Sequence, residues 1–261
     1  MTFRYAIAVF LLFLCCGFAH GAPGSVILLA GEALDEKGSQ RPLGATHRRL
    51  LAYLERMLDV RFDVRMYPWG RLDLYARNGE GLVLGLSKNT ERAGYLHFSD
   101  AAYANNLWLV TRSDTPFPFN SMQDLAGKKI GAVRGYSYGE EFDRGRNRVF
   151  QVEEDISSRS SRLKKLLSRR MDALLVYQLA TDSAEEVESG INSFMASEVK
   201  DMLVPRSLSF RVLPRPMQTE NVYFSIAAEK DRGIIASIND ALAKGRKSGE
   251  LARILKAPKP D

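Results

Sequence analysis

An α/β fold made of two units in series is what this sequence predicts, and three observations carry it. Short apolar or period-two runs alternate with helix-patterned stretches from Ser25 onward. A break at "TPFPFNS", residues 115–121, then interrupts the alternation with two prolines that no central strand tolerates. Beyond the break the alternation starts again.

Ser25 to Ala30, "SVILLA", is an apolar run ending at Gly31 and reads as a buried strand. In "GATHRRLLAYLERMLDV", Thr46 is placed to cap a helix whose Leu50, Leu51, Leu54, Met57 and Leu58 fall on one face. "RFDVRMY" alternates Phe62, Val64 and Met66 inward, as a strand does. "GRLDLYARNGE" is a short helix closed by Asn78-Gly79, and "GLVLGL" is a third strand. "NNLWLVTRSD" is the fourth. After the break come a short capped helix in "SMQDLAGKK", a strand in "IGAVRG" and a helix start in "YSYGEEFDRG". "RVFQVEE" and "MDALLVY" are strands on either side of the helix "SRLKKLLSRR", which puts Leu163, Leu166 and Leu167 on one face. "SLSFRVLP" and "NVYFSIAAEK" are the last strands. The closing helix carries an apolar stripe of Ile234, Ile235, Ile238, Ala241 and Leu242. Strands separated by helices predict parallel sheets covered on both faces.

The first 21 residues stand apart. "MTFRYAIAVFLLFLCCGFAHGA" has one early cation, Arg4, an apolar core from Ala6 to Phe18, and small residues at Ala19 and Gly21. That core is shorter than the roughly 20 apolar residues of a membrane-spanning helix. It matches a secretory signal, with cleavage expected after Ala19 or Gly21. Cys15 and Cys16, the only cysteines, leave with it. Thiol chemistry and a disulfide framework are thereby excluded, and His47 and His97 alone remain to serve a metal or acid–base role. About 240 residues are left, enough for one large or two modest domains. The full chain carries a net charge of +6, spread as Arg-Arg and Lys-Lys pairs without interleaved aromatics. Such pairs suit solvated helix faces and anionic ligands rather than a nucleic-acid groove.

Several blocks in order carry a resemblance. They are "YPWGRL", "GLVLGLSKNTERAGYLHFSDAAYANNLWLVTRSD", "DLAGKKIGAVRGYSYGEEF", "LLSRRMDALLV", "VYFSIAAEKD" and "ALAKGRKSGELARIL". Together they resemble family 3 of the bacterial extracellular solute-binding proteins, over essentially the whole chain after the signal. The resemblance implies a two-lobed periplasmic-binding-protein-like fold of type II, with a ligand cleft between lobes joined by crossing strands. Lobe I is expected at 25–112 and 218–261, and lobe II at 113–217.

The resemblance also implies roles for residues. Arg92 stands where the family grips a ligand carboxylate, a task that suits the two-pronged guanidinium. Ser87 matches a hydroxyl that bonds the ligand, and Gly85 matches a position that offers its carbonyl; turn chemistry after a strand explains both equally well. In "RGYSYGEE", Ser137 and Tyr136 match the turn that completes the carboxylate site, although an ordinary helix cap would look the same. Trp69 is placed either over the ligand or in the core. Glu32 lies just past the first strand, facing the cleft or solvent, and His97 reads as structural. One departure stands out. Receptors of this family for α-amino acids carry an acid five positions after the Asp of the R-x-D-A block. Here that block is Arg170-Met171-Asp172-Ala173, and the fifth position is Tyr177. A phenol supplies no full negative charge at neutral pH. Either another acid such as Glu32 serves the ammonium, or the ligand has none.

The expected function is a monomeric, non-catalytic periplasmic receptor for a small carboxylate-bearing solute, an amino acid or a non-aminated organic acid. It would need no cofactor or nucleic acid and would serve an ABC permease or a membrane sensor. A periplasmic dehydratase-like enzyme on the same fold, with Glu32, Glu140 or Glu141 as acid, and an orphan binding module with an altered site are the alternatives.

Overall fold

The alternation read from residues 24–98 folds into the first of two sheets. The computed structural model describes residues 24–35, 37–156, 158–198 and 209–256, so the signal expected at 1–21 lies outside the described residues. Strand β1 (Gly24–Gly31) is followed by α1 (Ala45–Leu58), β2 (Val60–Tyr67), α2 (Trp69–Arg77) and β3 (Leu82–Leu84). A single-turn helix α3 (Thr90–Ala93) and a short strand β4 (Leu96–Phe98) complete this part.

The second sheet takes β5 (Tyr103–Arg112), β6 (Lys129–Val133), α4 (Glu140–Gly145), β7 (Gln151–Asp155), α5 (Arg159–Leu167) and β8 (Ala173–Leu179). Helix α6 (Ala184–Glu198), β9 (Phe210–Val212) and β10 (Gln218–Val222) follow; the chain then returns through β11 (Phe224–Ala227) to α7 (Ile234–Lys247) and α8 (Glu250–Lys256). The first sheet runs β2-β1-β3-β11-β4 and the second β10-β5-β8-β6-β7, with β9 paired to β5.

Alternation along β1 explains why both faces are covered. Leu28 joins a core with Leu50, Leu54, Leu82 and Phe224, under α1, α7 and α8. Its neighbour Leu29 points the other way, to Leu72, Ala76 and Val83 under α2. The second sheet repeats this, with Leu107 and Leu109 packed on Phe142 and Phe150, and Trp108 and Val110 packed on Leu163, Val187 and Ile191.

Five features differ from the sequence expectation. The sheets are mixed: β11 is antiparallel to β3 and β4, and β5 is antiparallel to β8, β9 and β10. "NVYFSIAAEK" is two strands, because the chain changes sheets at Tyr223. The expected lobe boundaries at 112/113 and 217/218 assign β5 and β10 to lobe I. Both strands pair in the second sheet, and only their ends at Tyr103 and Val222 enter the first core. Finally, Thr46 lies within the first turn of α1, with Gly44 at the cap, and Val64 is exposed because β2 is an edge strand.

The two crossings are clipped together. Ser99 donates its amide to the Phe224 carbonyl at 2.8 Å, and its hydroxyl accepts the Phe224 amide at 3.0 Å. Ala102 donates to Val222 at 2.7 Å. Buried Ser99 thus ties the outgoing strand to the returning one at the only places where the chain passes between the described sheets.

Candidate functional site

The strands of the first unit end at Gly31 and Leu84, and those facing them end at Val133 and Leu179. A cavity of about 990 Å³ lies there, walled by both units. Ligands of open α/β sheets bind at such carboxyl ends, where amides and side chains converge without a strand to pair with.

The indole of Trp69 forms part of the wall and requires the glycine beneath it. A Cβ on Gly31 would lie 2.1 Å from its Cε2 atom, so only hydrogen lets the ring settle on the strand end. Gly85 has φ 97° and also lines the cavity, with its amide held by the Tyr223 carbonyl at 3.1 Å.

The two units touch across this cleft. Trp69 meets Tyr136 edge-on at 4.6 Å between ring centroids. The backbone at Gly135 packs so closely on Gly70 that a Cβ would fall 2.8 Å from the Gly70 nitrogen. Leu34, beyond β1, forms a parallel bridge with Ser158, the N-cap of α5. Arg41 from the first unit and Arg159 from the second both lie 5.5 Å from the Phe194 ring centroid.

Of the residues expected from the sequence, Trp69, Gly85, Tyr136 and Tyr177 line this cavity, while Arg92, Ser87, Ser137 and Glu32 do not. Arg92 is engaged by the protein itself. Its Nε donates to Asp73 Oδ1 at 2.7 Å and its Nη1 to the Ser87 carbonyl at 2.9 Å. Asp73 also accepts the Tyr95 hydroxyl at 2.9 Å. Burial opposes the Asp73 charge, but the bonds from Arg92 and Tyr95 outweigh it and hold the carboxyl below its usual range. Ser87 contributes its carbonyl rather than its hydroxyl. Ser137 donates to Asp143 Oδ2 at 2.8 Å, within its own turn. The Glu32 amide extends the sheet to the Tyr67 carbonyl at 2.9 Å, and its carboxylate stays off the wall.

Tyr177 is part of an aromatic face. It stacks on Tyr138 at 5.8 Å with the rings 6° apart, and Tyr136 tilts against it at 5.3 Å. Its hydroxyl donates to Glu220 Oε2 at 2.8 Å and accepts from Gln218 Nε2 at 3.2 Å. Burial first, then Tyr136 and Glu220, push its pKa up, so the group stays a neutral phenol. On the facing side, His47 Nε2 lies 2.7 Å from the Tyr103 hydroxyl, and burial lowers the His47 pKa.

Sequence reasoning missed Arg159 and Arg162, which also line the cavity. The signal was present in their spacing. Arg159 and Arg162 sit three apart, and Arg162 is one turn from Leu166 on the inward stripe of α5. Among other arginines and lysines they looked like one more solvated face. Helix α6, whose Glu186, Val187, Gly190, Ser193 and Phe194 close this end of the cavity, was also missed.

No protein-family model and no curated protein matches the sequence. Solved structures do match. An ancestral arginine-binding protein bound to arginine superposes with a TM-score of 0.67 at 18% identity, covering 90% of this chain and 97% of that one. The amino acid ABC transporter substrate-binding protein AbpA from Streptococcus pneumoniae, bound to L-arginine, gives 0.65 at 17% identity, over 89% and 93%. The ancestral amino acid-binding protein AncCDT-1, a precursor of cyclohexadienyl dehydratase, gives 0.65 at 15% identity, over 91% and 96%. The chain has the two-lobed fold of these substrate-binding proteins.

Proposed function

We propose that this chain is a periplasmic solute-binding receptor of the family 3 type, which closes around a small carboxylate-bearing solute and presents it to an ABC permease or a membrane sensor. One observation carries the reading: a single cavity at the carboxyl ends of both sheets, with walls contributed by both lobes. A solute touching both walls favours the closed arrangement over the open one by the difference in its contacts, which is how such a receptor reports occupancy.

The wall chemistry supports a solute without an α-ammonium group. The acidic side chain on the wall is Glu186, which is committed to helix α6 by accepting the Ser183 amide at 2.7 Å. Glu220 lies behind Tyr177, whose hydroxyl it accepts. Arginine-binding structures share the fold, but here two guanidinium groups line the cavity, and a cationic solute would meet them unfavourably. The carboxylate grip expected of Arg92 is not part of this proposal, since Asp73 already occupies that guanidinium.

Ligand-screening calorimetry on the purified protein tests the reading, with small-angle scattering and product analysis of each hit. A true solute should decrease the radius of gyration and be recovered unchanged. Steady conversion of a cyclic acid would replace the receptor with a dehydratase-like enzyme. No compaction with any hit would leave an orphan binding module.

A further inference from the structure

Two arginines on the cavity wall are unexplained by the fold. Arg162 is 8% exposed; its Nη1 donates to the Leu175 carbonyl at 3.0 Å, and its Nε has no partner. Arg159 contacts the Phe194 face, and among the described residues no carboxylate pairs with it. The acids nearby are committed. Asp155 binds Lys165 at 2.8 Å and the Ile156 amide at 2.8 Å, and Glu186 caps α6.

Burial outweighs the support that Asp155 gives the Arg162 charge. Enclosing under-compensated cations is unfavourable, so a fold that retains two of them side by side has a use for them. Burial first, and then the neighbouring Arg162 and Arg41, lower the Arg159 pKa to about 10. An anion among these groups would offset the repulsion between the guanidinium groups and favour the charge that burial opposes. The nine-residue helix α5 adds the positive end of its dipole at Ser158 and Arg159.

We propose that Arg159 and Arg162 form an anion subsite at the α5 end of the cavity, which takes the acidic group of a solute whose apolar body lies along the tyrosine wall. The inference rests on the cleft being a solute site. It also assigns the electrostatic trigger for closure. Arg41 reaches Phe194 from the first lobe, and Leu34 bridges to Ser158 beside it, so closing the cleft adds a third guanidinium to the pair. An anion offsets that repulsion and therefore favours the closed form.

Benzoate, its neutral analogue benzamide, and inorganic phosphate serve as probes, with thermal midpoints read at matched ionic strength. Benzoate should raise the midpoint of the wild-type protein and benzamide should not. The double variant Arg159→Gln/Arg162→Gln should bind benzoate roughly 30-fold or more weakly. Arg162→Met should melt higher than wild type without any probe, because an apolar side chain of similar length replaces a buried cation. A response to phosphate as well would show that the oxyanion alone suffices. The proposal is overturned by equal benzoate responses in wild type and double variant, by no response to either anion, or by an Arg162→Met that melts lower and keeps its benzoate response. Compaction on a neutral solute, unchanged in the double variant, would remove the subsite and leave the receptor reading in place. Failure of every solute to compact the protein would remove the receptor reading itself.

Discussion

Gly135→Ala should hold the two lobes apart. Gly135 has φ 73°, and a Cβ there would stand 2.8 Å from the nitrogen and 2.9 Å from the Cα of Gly70. Both are backbone atoms of the facing lobe, so no side chain can swing aside. Ordinary carbon contacts are about 3.5–4.0 Å, so the lobes must separate locally by roughly 1 Å. Overpacking of this kind costs about 1–3 kcal/mol. Spent against the closed form alone, that lowers the closed-to-open ratio about 5- to 150-fold. The left-handed backbone adds about 1–2 kcal/mol, but it strains open and closed forms equally and so appears only in unfolding. Gly127→Ala separates the two effects, since Gly127 has φ 72° and nothing within 4 Å of its Cβ position. Both variants should lose a similar amount of thermal stability. Only Gly135→Ala should show an enlarged radius of gyration and weakened solute binding. A Gly135→Ala protein that scatters and binds like wild type would refute the closure contact.

Three further outcomes follow from two side-chain pairs. Arg92→Ala should cost about 1–2 kcal/mol in urea denaturation, the usual worth of charge-assisted bonds discounted for partial exposure. Solute affinity should stay near wild type, and a large calorimetric loss of affinity would restore the carboxylate grip to Arg92. Because the Asp73 pKa is depressed in the fold, its stabilisation is present above the unfolded value near 3.9 and is lost as pH falls through the lower folded value. Asp73→Asn should flatten that acid limb. His47 has the corresponding base: its folded pKa is lowered, so the unfolded chain takes the proton first. Stability should fall as pH drops through about 6.5 and level off below the folded value, and His47→Gln should abolish the step. Superimposable wild-type and variant pH profiles would contradict a buried neutral imidazole.

How much was legible in the sequence depended on whether the signal was local. Leu50, Leu51 and Leu54 announced α1, and the prolines of "TPFPFNS" announced the change of unit, because periodicity and ring geometry act within a few residues. The turn after β3 was also placed correctly at the end of its strand. Of its residues, Gly85 lines the cavity, whereas Ser87 and Arg92 do not. The resemblance gave Arg92 the role of gripping a ligand carboxylate, and Asp73, nineteen positions earlier, was invisible as its partner. Tyr177 was singled out for lacking a charge. That Glu220 stands behind it depends on β10 pairing beside β5 and β8, a relation between strands far apart in the chain.

By itself, then, the sequence determined the strand–helix alternation, the two units, and the resemblance to solute-binding receptors, all of which are carried by neighbouring residues or by ordered blocks. Tertiary structure decided which strands are antiparallel, that β5 and β10 cross between lobes, and which polar groups face the cavity. The physical reason is the same in each case. Hydrophobic period says that a residue turns inward, but what it meets there is set by the chain arriving from elsewhere. Arg162 shows this most clearly: its place on the inward face of α5 follows from spacing, whereas its burial at the cavity wall, bonded to the Leu175 carbonyl of β8, follows only from the packing of α6 and β8 around it.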